Sequence, residues 1–150
     1  MSDPGPAFVP SEEDVDFARL QSVATSALES SNFTRFSDFG NRHGSWELTF
    51  SKDDGGLHRF ISLDITATTP PVSHSAQVFD VEIWISAEMG DRFMRRLIRR
   101  LTASHSDLDS KKIDDQLRDS LTAAAQICSG LTASDLIANY SRSLVRRTHE

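Results

Sequence analysis

The chain has 150 residues, of which 38% are hydrophobic and 25% charged, and its formal net charge is −6. This is the size and composition of one globular domain with a single core. A single cysteine excludes an internal disulfide, and the absence of long apolar runs excludes a membrane span and a secretion signal. We therefore expect a cytoplasmic protein with no membrane association, and because arginine greatly outnumbers lysine, as in GC-rich bacterial genomes, we expect it to be bacterial.

The first part of the chain predicts a tail followed by a helix. Residues 1–10 contain three prolines and one glycine, which predicts a disordered tail ahead of a single domain over residues 11–150. Ser11 and the acids after it are typical of a helix N-terminus. A stripe at helical spacing then predicts a helix that ends near Ser30, with these residues on its buried side: Phe17, Leu20, Ala24, Ala27 and Leu28.

The next part of the chain predicts a loop and three strands. Phenylalanines spaced by three between Asn32 and Ser45 fit neither a strand nor a long helix, and we interpret this segment as a loop. Alternation predicts strands at 46–52 and 57–66, joined by turn residues into a β-hairpin. A third alternating segment over 76–86 predicts the last strand of a three-stranded antiparallel meander.

From Ala87 onward the pattern indicates three helices. The first is predicted over Ala87 to Thr102, and the second from near Ser106 to Ser129, with Cys128 in the core and Gly130 as the stop. The last is predicted to begin at Thr132 and to bury three residues, Ile137, Tyr140 and Leu144. The predicted fold is therefore α+β, in the order α-β-β-β-α-α-α. Because three strands cannot cover four helices, we also expect a homo-oligomer or a partner complex.

The sequence contains no recognisable catalytic, cofactor or metal motif. The five histidines lie in different segments and never at helical i, i+4 spacing, and neither a glycine-rich phosphate loop nor a nucleophile elbow is present. We therefore expect a non-enzymatic protein with no catalytic residues, no cofactor and no metal.

Three acids on the predicted strands define a remote alternative. Asp64, Asp80 and Glu82 lie on predicted polar strand faces, where three carboxylates could bind Mg²⁺. The α-β-β-β-α order with acids on the second and third strands resembles the outline of the restriction-endonuclease-like nucleases. That family pattern has a lysine two residues after the second acid, whereas here Glu82 follows Asp80 and Trp84 follows Glu82. A solvated strand face explains the same acids without chemistry.

The segment DRFMRRLIRR, from Asp91 to Arg100, is the main concentration of positive charge. As a helix it would separate an apolar arc from an arc of five arginines, Arg92, Arg95, Arg96, Arg99 and Arg100. Like charges at i, i+4 destabilise a helix by a few tenths of a kcal/mol each, so we expect a negative surface nearby. These five arginines are the candidate partner-binding residues.

Four sources of negative charge remain open. Acids of the same chain could pair with the arginines, and Asp114 on the following helix is best placed to do so. An acidic protein surface suits bidentate arginine contacts. Nucleic acid is the alternative partner, although the acidic pI of about 5.3 opposes it. A membrane surface would expose the sheet. The function predicted from the sequence is thus binding of another protein, as adaptor, inhibitor or immunity proteins do.

Overall fold

A computed structural model describes residues 17–42, 45–67, 78–108 and 110–138. The helices are α1 (Phe17–Glu29), α2 (His105–Leu108) and α3 (Lys111–Ser129). The strands are β1 (Thr34–Arg42), β2 (Ser45–Asp54), β3 (Leu57–Ala67), β4 (Val78–Met89), β5 (Arg92–Ser104) and β6 (Ile137–Ala138). The prediction of helix one is confirmed over α1, whose predicted apolar stripe is buried. The predicted disordered tail lies outside the described residues.

The six strands form one antiparallel sheet in the order β1-β2-β3-β4-β5-β6. The predicted three-stranded meander is therefore wrong, although the α+β class is correct. Alternate residues of β2, β3 and β4 are almost fully buried, while those between them are half-buried or exposed. Helices α1 and α3 cover the buried side. We call this side the helix face and the opposite side the open face.

Two hairpin turns depend on glycine. Gly55 and Gly56 join β2 to β3 and both have positive φ, at 63° and 83°, as a type I′ turn requires. Gly90 and Asp91 join β4 to β5, and only Gly90 has positive φ, at 59°, as in a type II′ turn. The predicted β2–β3 hairpin is confirmed, whereas the second hairpin lies where the sequence pattern predicted a helix.

The predicted loop over Asn32 to Ser45 is largely strand β1, which pairs with β2. The register between the two strands shifts twice, between Arg35 and Ser37 and again between Phe39 and Arg42. Each shift inserts unpaired residues into the strand and breaks the two-residue alternation. The three-residue spacing of the phenylalanines reflects this irregularity rather than a loop.

The predicted helix over Ala87 to Thr102 is wrong, because this segment ends β4 and forms most of β5. A register shift opposite Ile83 and Trp84 leaves Ile98 as an additional residue on β5. The bulge interrupts the alternation of apolar and polar residues. Because β5 is exposed on both faces, neither face requires a regular row of apolar side chains. Paired arginines and paired apolar residues then imitate a helical period.

The C-terminal predictions are confirmed only in part. Ser110 caps α3 by accepting from the backbone N–H of Ile113, and Gly130 ends the helix as expected. The segment from Thr132 has the expected capping box but forms a single 3-10 turn followed by β6. Ile137, predicted to be buried, is 61% exposed. Tyr140 and Leu144 lie outside the described residues.

Two cations on the β2–β3 hairpin connect the sheet to the ends of both long helices. Lys52 and Arg59 are direct cross-strand partners on the helix face. Lys52 Nζ donates to the carbonyl of Ser31, just after α1, at 3.1 Å and to Ser129 Oγ of α3 at 3.0 Å. Neither helix has a basic residue in its last turn. The hairpin therefore supplies the positive charge that helix C-termini favour.

Arg59 is 4% exposed and binds only carbonyl oxygens. Its Nη1 donates to the carbonyls of Cys128 at 2.6 Å and Leu131 at 3.0 Å, and its Nη2 to the carbonyl of Asp54 at 3.2 Å.

The predicted core position of Cys128 is confirmed. Burial raises the pKa of the Cys128 thiol to about 11, so the thiol stays protonated and unreactive at neutral pH.

Helices α1 and α3 are joined by an ion pair between Arg19 and Asp114. Arg19 also donates to the carbonyl of Leu108 in α2. Asp114 is the acid of this chain that the sequence suggested could pair with the arginine segment, but its described partner, Arg19, lies on α1. Across the described part of the chain, the helices are too short or too polar to span a bilayer.

Candidate functional site

Strand β5 distributes its arginines over both faces of the sheet. Arg95 and Arg100 lie on the open face, because their partners on β4 belong to its polar row. Arg96 and Arg99 lie on the helix face, because their partners on β4 are buried isoleucines. All four arginines are exposed. The single arginine arc expected of a helix is therefore two pairs of arginines, one pair on each side of an outer strand.

Arg95 is held against the indole ring of Trp84. Its guanidinium carbon lies 3.8 Å from the ring centroid, within the range of a cation–π contact. Stacking occupies one flat side of the guanidinium and leaves its N–H edge available. The contact fixes the orientation of Arg95 in a geometry that suits a carboxylate ligand.

Arg100 is paired with Glu82 across β4 and β5. Its Nη2 lies 2.7 Å from Glu82 Oε2, and the indole N–H of Trp84 donates to Glu82 Oε1 at 2.9 Å. The Trp84 N–H first and Arg100 second hold the pKa of Glu82 below its usual range. The network therefore runs from Arg100 through Glu82 and Trp84 to Arg95, and it keeps Arg100 occupied.

Arg96 and Arg99 differ from the other three arginines. Within the described ranges neither side chain has a hydrogen-bond, ion-pair or ring partner. Arg92 donates to the carbonyl of Ala133 at 3.3 Å and so helps to hold the 3-10 turn next to β5. The structure thus separates the five predicted site residues into one tether (Arg92), one ion pair (Arg100), one stacked arginine (Arg95) and two arginines without a described partner.

Most of the outer edge of β5 has no neighbouring strand among the described residues. Strand β6 pairs with Arg92 and Phe93 only, so the edge from Met94 to Ala103 hydrogen-bonds on its β4 side alone.

The two large hydrophobic side chains exposed in the described part of the chain are Leu97, at 37%, and Ile137, at 61%. Both belong to β5 or β6 rather than to a helix. The expectation that helices leave apolar surface for a second subunit is therefore wrong for the described helices.

The open face also carries a row of charges across four strands. Direct pairing places Glu47 beside Asp64, Asp64 beside Glu82, and Glu82 beside Arg100. Burial first, and then the carboxylates of Glu47 and Glu82, raise the pKa of Asp64, while a hydrogen bond from Ser62 opposes the rise. The cost of this row falls on Asp64, because both of its cross-strand neighbours are acids.

The candidate magnesium site is not assembled. Asp64 and Glu82 are cross-strand neighbours, but Asp80 is paired with Thr66 instead. Glu82 already accepts from Arg100 and Trp84. Over the described residues, no three histidine, cysteine or acidic side chains are arranged to hold a metal ion. The five-stranded run β1 to β5 also departs from the α-β-β-β-α outline on which the nuclease resemblance depended.

Replacing Asp64 by asparagine is expected to stabilise the protein at neutral pH by about 0.2–1 kcal/mol, the usual cost of a cross-strand like-charge pair. Because the pKa of Asp64 is raised in the fold, its ionised form opposes folding above that pKa, and the cost disappears as the pH falls through it. Urea unfolding of wild type and Asp64→Asn between pH 7 and pH 4 measures the difference.

The matched control is Asp80→Asn, since Asp80 lies on the same face with threonines as its cross-strand partners, Thr66 and Thr102. We expect this variant to have nearly the stability of the wild type at both pH values. A lower stability of Asp64→Asn than of wild type at pH 7 would show that the acid row does not repel as argued.

Comparisons with known proteins provide no identification: no protein-family model matches the chain, and neither the curated proteins nor the solved structures include a match. The case for a function therefore depends on the geometry of β5.

Sequence reasoning missed Trp84 and the outer edge of β5, and one signal in the sequence could have found them. Met89-Gly90-Asp91-Arg92 has a two-residue Gly-Asp turn between alternating segments, which is typical of a β-hairpin.

Proposed function

We propose that this is a non-enzymatic, cytoplasmic bacterial protein that binds an acidic partner protein through the exposed arginines of β5. The observation that carries the proposal is the pair Arg96 and Arg99, which are exposed and have no acidic partner among the described residues. Binding an acidic surface would remove the repulsion between neighbouring guanidinium groups and form charge-assisted hydrogen bonds. Adaptor, inhibitor and immunity-type proteins act by binding of this kind.

Two further features support a protein partner. Arg95 stacked on Trp84 combines two of the residue types that dominate protein–protein binding energies. Leu97 adds exposed apolar area at the centre of the arginine segment. A ligand that covered Leu97 would exclude water from the arginine contacts on either side of it, which strengthens them.

Nucleic acid is the less favoured ligand for this surface. A phosphate backbone along the open face would lie close to Glu47, Asp64 and Glu82, which share a row with Arg100. The net charge of −6 also opposes long-range attraction of a polyanion. A compact carboxylate ligand can avoid this row, because Arg96 and Arg99 lie on the other face.

The test uses a ten-residue peptide in which two glutamate pairs flank two valines, which we call the glutamate peptide. It mirrors the Arg-Arg-Leu-Ile-Arg-Arg segment from Arg95 to Arg100. In fluorescence anisotropy, we expect it to bind the wild-type protein and to bind less well as salt increases. The same peptide with lysines in place of glutamates should not bind.

The triple variant Arg95→Gln/Arg96→Gln/Arg99→Gln is expected to lower the affinity for the glutamate peptide by about tenfold or more, since three contacts of roughly 0.5 kcal/mol or more are lost. Its melting temperature should fall only slightly, because the side chains of Arg96 and Arg99 have no partner in the described structure and Arg95 loses one exposed contact, with Trp84.

The control Lys111→Gln/Lys112→Gln/Arg118→Gln removes the same charge from the exposed side of α3. If both triple variants lose the same affinity for the glutamate peptide, the loss follows from net charge alone, and the proposal is contradicted. Tight binding of a DNA duplex that the β5 triple variant abolishes would instead favour nucleic acid.

A further inference from the structure

We propose that the partner binds as an extended acidic segment that adds a strand to the outer edge of β5 between Met94 and Ala103. This inference rests on the proposed function and specifies how the partner is held. Backbone hydrogen bonds to the edge would provide affinity, and the arginines on both faces would select for acidic side chains.

The outer edge is already capable of strand pairing at one end. Strand β6 pairs antiparallel with β5, with Ile137 opposite Phe93 and Ala138 opposite Arg92. The residues just before β6 form the 3-10 turn Ala133–Asp135 and no longer pair with β5. A bound strand would extend the backbone hydrogen bonding of β6 along the edge from Met94 to Ala103. At 3.3 Å per residue, this edge is about 30 Å long.

The arrangement of charge fits an added strand better than a folded acidic surface. Successive residues of a strand point to opposite faces, so two adjacent acids on an added strand would meet Arg95 on the open face and Arg96 on the helix face. The bulge at Ile98 separates this pair from Arg99 on the helix face, while Arg100 stays paired with Glu82. A rigid surface docked on one face of the sheet would reach either Arg95 or the two arginines of the helix face, Arg96 and Arg99, but not all three.

The same arginines disfavour a second copy of this chain as the occupant. Antiparallel pairing of two β5 edges centred on Leu97 and Ile98 would place Arg96 opposite Arg99 of the second copy, and Arg95 opposite Arg100. Like charges directly opposite each other destabilise a strand pair, and charged side chains on outer strands are a common protection against self-association. An acidic strand would replace the repulsion between Arg96 and Arg99 by attraction to both of them.

Alternate backbone methylation of the glutamate peptide tests strand addition. An added strand offers only one of its two edges to β5, so N-methyl groups on one set of alternating residues block the hydrogen bonds and those on the other set do not. We expect one N-methylated peptide to lose about tenfold or more in affinity, while the other stays within about twofold of the unmodified peptide.

Amide hydrogen exchange provides an independent readout on the wild-type protein. Alternate amides between Met94 and Ala103 face the outer edge, and they should exchange more slowly once the glutamate peptide is bound. Amides of α3 should be unaffected by the peptide.

The outcomes separate the two proposals. Equal affinities of the two N-methylated peptides, with no new protection on β5, would overturn strand addition while leaving an acidic ligand in place. Failure of the unmodified glutamate peptide to bind would overturn the proposed function and strand addition with it.

Discussion

Replacing Arg59 by methionine should lower the free energy of unfolding by about 2–4 kcal/mol, since the variant loses three hydrogen bonds from a buried cation. Methionine fills much of the same volume but leaves the carbonyl of Leu131 without its donor, and it removes the charge at the C-terminal end of α3. Guanidinium chloride unfolding measures the change, and the melting temperature should fall by roughly 10 °C.

Arg118→Met is the matched control for this experiment. Arg118 is exposed on α3 and pairs with Asp115 at 3.5 Å, and an exposed ion pair contributes about 0–1 kcal/mol. The lysine variant Arg59→Lys should fall between wild type and methionine, because an ammonium retains the charge but cannot match the forked guanidinium. An Arg59→Met variant as stable as the wild type would mean that the three carbonyls find other donors or water.

Replacing Arg96 and Arg99 together by threonine should increase self-association of the protein by about two- to thirtyfold. In an edge-to-edge dimer centred on Leu97 and Ile98, these two arginines would form two like-charge pairs, each opposing assembly by about 0.2–1 kcal/mol. Threonine favours a strand without adding a large apolar surface. Sedimentation equilibrium over a wide concentration range measures the association constant.

The control for self-association is Lys112→Thr/Arg118→Thr, which removes the same charge from the exposed side of α3. If both double variants associate to the same extent, the effect follows net charge and the outer edge of β5 is not the cause. An association that hydrogen exchange locates on β5 would confirm that the arginines protect this edge.

The sequence predicted the elements whose burial is one-sided and regular. Helix α1 and the main part of α3 have apolar stripes at helical spacing, and the β2–β3 hairpin alternates around Gly55 and Gly56. In each of these elements one face is in the core and the other is in water, so the pattern of side chains reports the local structure.

The predictions from the sequence are wrong at the two edges of the sheet. Strands β1 and β5 are its outer long strands, and both contain register shifts against their neighbours. A shift changes which residues face the core, so neither strand keeps a clean alternation, and β5 has in addition exposed residues on both faces. Paired arginines separated by Leu97 and Ile98 then gave a period close to that of a helix.

The arginines of the candidate site come from the sequence, and their role as partner-binding residues stays a prediction, but their geometry comes only from the structure. A helix would have placed all five arginines from Arg92 to Arg100 on one side, whereas β5 distributes them over two faces. The contact between Arg95 and Trp84 joins two strands that the sequence pattern did not pair. Which arginines are paired within the chain depends on such neighbours, and composition alone does not contain that information.

The order of the strands in the sheet also bears on how the chain folds. Each long strand pairs with the strand next to it along the chain, so the sheet can form by successive local loop closures with a small entropic cost. Packing of α1 on α3 is different, because Arg19 and Asp114 are separated by 95 positions. We expect the sheet to assemble early and the N-terminal helix α1 to dock last. The step that completes the core would then join the segments that are farthest apart along the chain.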